Sequence, residues 1–136
     1  MMKRSGAPRV RDFMTPVPIS VQPGCSTREA RALMHEKEIR HLLVKRGSRL
    51  LGLVSERNLE ALTGALLDQL TVADVMTPRP YAVSPAARLA DVASVMAKAK
   101  YGSAVVRRRD GRVVGIFTTV DACRALAELI RRWCPE

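Results

Sequence analysis

Two four-residue spacings carry most of the chemistry in this chain: Thr118-x-x-Asp121 and Ser55-x-x-Asn58. Each follows a run of apolar residues and opens an amphipathic stretch, so each falls where a strand hands over to a helix. A carboxylate there can accept two hydrogen bonds from a diol, a geometry that an amide reproduces less well. Free N–H groups at a helix start suit a phosphate, and the hydroxyls of Thr118 and Thr119 add donors. The same spacing also writes a helix cap, with the acid favourable in the first turn. From spacing alone the two readings stand level, and both roles can coexist. Arg40 and Arg57 offer planar guanidinium forks for phosphate, or lie on a solvated surface. His41 precedes a strand and reads as structural; His35, among Glu36, Lys37 and Glu38, carries no assigned role.

Other chemistries lack their residues. Two His and three scattered Cys form no paired-His metal motif and no Cys-x-x-Cys, and no P-loop is present. We therefore expect no catalysis, no metal and no disulfide framework. The cysteine usage points to a reducing cytoplasm. Met1 to Arg11 is basic and small with no apolar h-region after it, so no signal peptide is expected, and no apolar run is long enough to span a membrane. The net charge of +10 attracts anions in general, with clusters at Lys3-Arg4, Lys45-Arg46, Arg107-Arg108-Arg109 and Arg131-Arg132. No nucleic-acid recognition motif accompanies that charge.

The elements that must position these residues emerge when the sequence is aligned with itself. Val10-Arg11-Asp12-Phe13-Met14-Thr15-Pro16 recurs as Val72-Ala73-Asp74-Val75-Met76-Thr77-Pro78, and Pro18, Val21, Pro23 and Met34 match Pro80, Val83, Pro85 and Met96. Further on, Gly52-Leu53-Val54-Ser55 faces Gly115-Ile116-Phe117-Thr118. Each copy predicts a short helical lead-in broken at Thr-Pro. A short strand, a helix, two hairpin strands and a second helix follow. Ser26-x-x-Glu29 is a capping box, and Asp110-Gly111 a hairpin turn. The second helix of the first copy is expected from Ser55 towards Leu67, and that of the second from about Thr119 to Trp133. Leu89, Val92, Val95 and Met96 stripe the helix between, while Met34 and Met96 belong to the core. Strands alternating with helices give an α/β fold of α+β layers. A half of about 60 residues buries too little surface alone, so two copies packed sheet to sheet are expected.

The Met-Thr-Pro lead-in, the Val-x-Pro after the first strand, the hairpin and the Gly-hydrophobic-hydrophobic-Ser/Thr-x-x-Asn/Asp signature, each present twice, resemble the CBS domain, named after cystathionine β-synthase. The resemblance covers about residues 10–132, with residues 1–9 as a basic tail and repeats at 10–69 and 70–136. It implies a free-standing tandem pair related by a pseudo-twofold axis, a regulatory rather than catalytic role, and dimerisation through helices, with Trp133 at a dimer seam or capping the core. It also implies two clefts holding an adenosine nucleotide (AMP, ADP, ATP, NAD or S-adenosylmethionine), with no cofactor required. One cleft would draw on Thr15, Ser20, Ile39, Arg40, His41, Ile116, Thr118, Thr119 and Asp121. The other would use Leu53, Ser55, Asn58, Thr77, Ala82, Tyr101 and Gly102. Asn58 stands where the family's ribose-gripping Asp is expected, so the Asp121 cleft is the better site. Leu43 and Val105 replace a frequent proline, and Val120 a commonly polar residue. Against this stand a ligand-free module that dimerises and docks a regulated protein, and a nucleic-acid binder drawn by charge.

Overall fold

The computed structural model describes residues 6–16 and 19–135; Lys3-Arg4 and Pro18 lie outside them. Two compact units emerge: Met1–Val17 with Tyr81–Glu136, and Pro18–Pro80. Each holds a four-stranded sheet. In the second unit the sheet runs β2 (Ser20–Val21), β3 (His41–Arg46), β4 (Arg49–Ser55) and β5 (Thr77–Pro78); in the first it runs β1 (Thr15–Pro16), β8 (Val113–Thr118), β7 (Ser103–Arg107) and β6 (Ala82–Val83). The outer pairs β2·β3 and β6·β7 are parallel and the rest antiparallel. The tandem α+β fold expected from the repeat is present.

Thr-Pro, read in the sequence as a break, is a strand in both copies. Each lead-in pairs with the last strand of the other copy: Thr15 opposite Ile116, and Thr77 opposite Leu53. Proline is tolerated because β1 and β5 are edge strands. The lead-in helix of the first copy is a 3-10 turn, Val10–Asp12; that of the second is α4, Val72–Val75.

Helix α1 (Thr27–Lys37) starts at the Ser26 cap, where Ser26 Oγ accepts from Glu29 N at 3.0 Å and donates to Glu29 Oε1 at 3.2 Å in place of the full capping box, and ends on Glu38 in the left-handed region. It lays Ala30 and Met34 on Leu42, Val44, Val54 and Leu59. Helix α5 (Leu89–Ala99) lays Leu89, Val92 and Met96 on Ala104, Val106 and Phe117. Both methionines are core. Val95, however, is 41% exposed. One residue is a step of about 100° round a helix, which carries it off the stripe that ends in Met96.

The expected helix from Ser55 to Leu67 is two short ones, α2 (Glu56–Glu60) and α3 (Ala65–Gln69). Gly64, at φ +52°, precedes α3, a backbone conformation that ends helical continuity and that glycine adopts without strain. Its counterpart α6 (Thr119–Trp133) runs unbroken for 15 residues.

Candidate functional site

Strand β8 ends at Thr118, which caps α6. Thr118 Oγ1 accepts from Asp121 N at 3.3 Å. The Asp121 carboxylate reaches back, with Oδ2 accepting from Thr118 N at 2.9 Å and from Thr118 Oγ1 at 3.2 Å. Pairing of β1 with β8 delivers Thr15, whose Oγ1 donates to Oδ1 and Oδ2 at 3.2 and 3.4 Å. From one turn further along α6, Arg124 Nη2 donates to Oδ1. Asp121 is 2% exposed, so these donors replace the water that a buried carboxylate gives up. Its few acceptor positions are taken by groups of the chain itself.

The glycine of the repeated signature makes this approach possible. A Cβ on Gly115 would lie 2.7 Å from the Thr15 carbonyl oxygen and 2.8 Å from Met14 Sδ. The glycine of one copy and the Met-Thr-Pro of the other are therefore two halves of one contact.

The corresponding corner of the other unit is built alike. Ser55 caps α2; Asn58 Oδ1 accepts from Ser55 N at 2.7 Å and from Ser55 Oγ at 2.9 Å, while Asn58 N donates to Ser55 Oγ at 3.2 Å. A Cβ on Gly52 would lie 2.5 Å from Met76 Sδ and 2.8 Å from the Thr77 carbonyl oxygen. Asn58 is half-buried, and Ala61 stands where the first corner has Arg124. Both Ser/Thr-x-x-Asp/Asn motifs are thus capping boxes.

Each of the two predicted cleft sets divides between the two units. Thr15, Ile116, Thr118, Thr119 and Asp121 gather in one, where Thr119 N also donates to the Gly102 carbonyl at 3.1 Å. Ser20 (opposite Leu43), Ile39, Arg40 and His41 (opposite Ser55) belong to the other. Arg40 gives its carbonyl to Glu56 N at 2.8 Å, and both Arg40 and Arg57 are exposed. Of the second set, Leu53, Ser55, Asn58 and Thr77 share a unit; Ala82, Tyr101 and Gly102 lie in the partner unit. Two groups went unread in the sequence. Arg124 was legible as a cation three residues after an acid on a helix. Tyr81 stacks on Tyr101 with ring centroids 5.1 Å apart, a pairing with no local signal. Burial, then Tyr101 and Asp91, push the Tyr81 phenol upward.

Two cavities, of about 460 and 700 Å³, are lined by other residues: Gly6 to Phe13 with the end of α6, and the channel between α1 and α2. Among the described residues no cluster of three or more His, Cys, Asp or Glu is placed to hold a metal. Nor is any helix among them long and apolar enough to cross a membrane.

The CBS domain matches the sequence twice, over residues 10–61 and 72–128. The chain belongs to the CBS domain family, as a tandem pair. It resembles the crystal structure of CBSX2 in complex with AMP, at 33% identity and a TM-score of 0.77, over 90% of this chain and 98% of that one. The CBS domain pair of protein MJ0100, solved with 5'-methylthioadenosine and S-adenosyl-L-methionine, shares the fold at a TM-score of 0.80 and 24% identity, over 90% of this chain and 98% of that one. Inosine-5'-monophosphate dehydrogenase of Korarchaeum cryptofilum is 34% identical over 114 residues, 83% of this chain and 23% of that enzyme. The chain thus spans about a quarter of the length of the curated relatives it matches.

Proposed function

We propose that this chain is a regulatory module that binds an adenosine-containing nucleotide at the Asp121 corner and does no chemistry on it. The observation that carries the proposal is the Asp121 carboxylate, buried beside the Thr15 and Thr118 hydroxyls at the start of α6. A ribose diol would take up acceptor capacity now held by side chains, and the N–H groups opening α6 suit a phosphate. The AMP complex of CBSX2 supports the ligand class. In this reading Ile116 and Thr119, from the same unit, complete the corner. The Asn58 corner, with Leu53, Ser55 and Thr77 of its own unit, makes a weaker one. A thermal-shift panel of AMP, ADP, ATP, NAD and S-adenosylmethionine tests it. A ligand at a hundredfold excess over its Kd stabilises by about 2.7 kcal/mol, and melting curves unmoved by all five contradict the reading.

A second element of the reading is a homodimer through α6. Val120, Leu126, Ile130 and Trp133 are all more than half exposed, Trp133 at 82%. Val120, Cys123, Ala127, Ile130 and Cys134 repeat at the three–four spacing that suits packing against another helix. Ile130→Glu is expected to leave a monomer by sedimentation. Stable dimers without any nucleotide effect would favour the ligand-free interaction module, in which the Asp121 bonds are a cap and nothing more. A steeply salt-dependent retardation of nucleic acid would instead favour the charge-driven alternative. The three free thiols suit work in the cytoplasm.

A further inference from the structure

Arg124 sets this corner apart in a way the capping motif does not require. Capping is complete with Thr118 and Asp121 alone, as the Asn58 corner demonstrates with Ala61 in the equivalent place. Yet Arg124 Nη2 donates to Asp121 Oδ1, the oxygen left unused by the Thr118 groups. The acid is 3% exposed at its side chain and the guanidinium 60%. One partner is locked in place and the other is hydrated and able to swing.

Resting on the nucleotide reading above, we propose that Arg124 is a displaceable gate that selects ligands carrying an anion. A ribose hydroxyl that donates to Oδ1 competes with Arg124 for the same lone pairs. Releasing an exposed guanidinium costs little, whereas releasing the Thr118 N–H would undo the start of α6. The displaced guanidinium, on its flexible apolar stem, stays beside the ligand. With a 5'-phosphate it forms a new charge-assisted pair, so the lost contact is replaced. With adenosine it finds no anion, and with S-adenosylmethionine it meets a sulfonium at the 5' position, the ligand's one anion being a carboxylate balanced by its own ammonium. The ligand class is therefore a phosphorylated adenosine nucleotide rather than a neutral or cationic nucleoside.

The test is calorimetric titration of AMP and adenosine into the wild-type chain, Arg124→Ala and Arg124→Lys. Removing a competing surface pair is expected to tighten adenosine about two- to fivefold in Arg124→Ala. Loss of the phosphate partner is expected to weaken AMP about tenfold in the same variant. Arg124→Lys keeps the charge and recovers part of the AMP affinity. Equal shifts of both ligands in one direction, or no shift of either, overturn the gate while leaving the nucleotide reading intact. A wild-type chain that binds neither AMP nor adenosine overturns the gate, and the nucleotide reading falls with it when ADP, ATP, NAD and S-adenosylmethionine also fail to bind.

Discussion

The two corners of this molecule share a scaffold and differ in their charge. Gly115 and Gly52 each let a Met-Thr-Pro strand cross at close range, and Thr118 and Ser55 each cap the helix that follows. On that common frame one corner buries a carboxylate held by Thr15, Thr118 and Arg124. The other half-buries an amide with Ala61 one turn on. Duplication fixed the backbone twice; the acid and its arginine stand in only one copy. Structure and capping are thus demanded at both corners, and the buried charge is extra at one of them.

The shared part should be the most costly to disturb. Gly115→Val forces a side chain into the Thr15 carbonyl and Met14, and is expected to lower unfolding free energy by about 3 kcal/mol in urea. Gly52→Val should act alike against Thr77 and Met76. A large effect at one glycine and none at the other would break the equivalence of the two frames.

The unshared part gives the next effect. Asp121→Ala removes the buried carboxylate and leaves the half-buried Thr118 N–H at the start of α6 without its acceptor, and is expected to cost about 2 kcal/mol. Asn58→Ala removes a half-buried cap at about 1 kcal/mol. Equal losses in parallel denaturation curves would mean that the buried charge adds nothing to its corner.

The smallest effect concerns a pair outside both corners. Arg28 Nε donates to Asp68 Oδ1 at 2.5 Å, and that hydrogen bond lowers the carboxyl's pKa. A depressed folded-state value gives stability that is present above the ordinary carboxylate range and lost as pH falls through the depressed value. Both partners are solvated, so Asp68→Asn should barely move the melting temperature at neutral pH, and less again in high salt.

How far the sequence carried is visible at the same residues. The repeat, the Ser26 cap, the Asp110-Gly111 turn and the Met34 and Met96 core positions were local signals, and local physics decides them. Thr118-x-x-Asp121 was legible as a motif with two readings, and the structure places it as a cap. Pairing of β1 with β8 was not legible, because the partner lies about 100 residues away and Thr-Pro spells a break in local terms. Thr15 meeting Asp121 followed from that pairing; no local signal carried it, and only the family resemblance set the two residues in one cleft. Glycine at 64 split a stretch whose apolar residues still read as one helix.

Calorimetric stoichiometry of AMP binding tests the central claim most directly. The account predicts a site in the wild-type chain that disappears in Asp121→Asn, which copies the Asn58 chemistry, and persists in Asn58→Ala. Binding that survives Asp121→Asn with unchanged affinity and stoichiometry would contradict it.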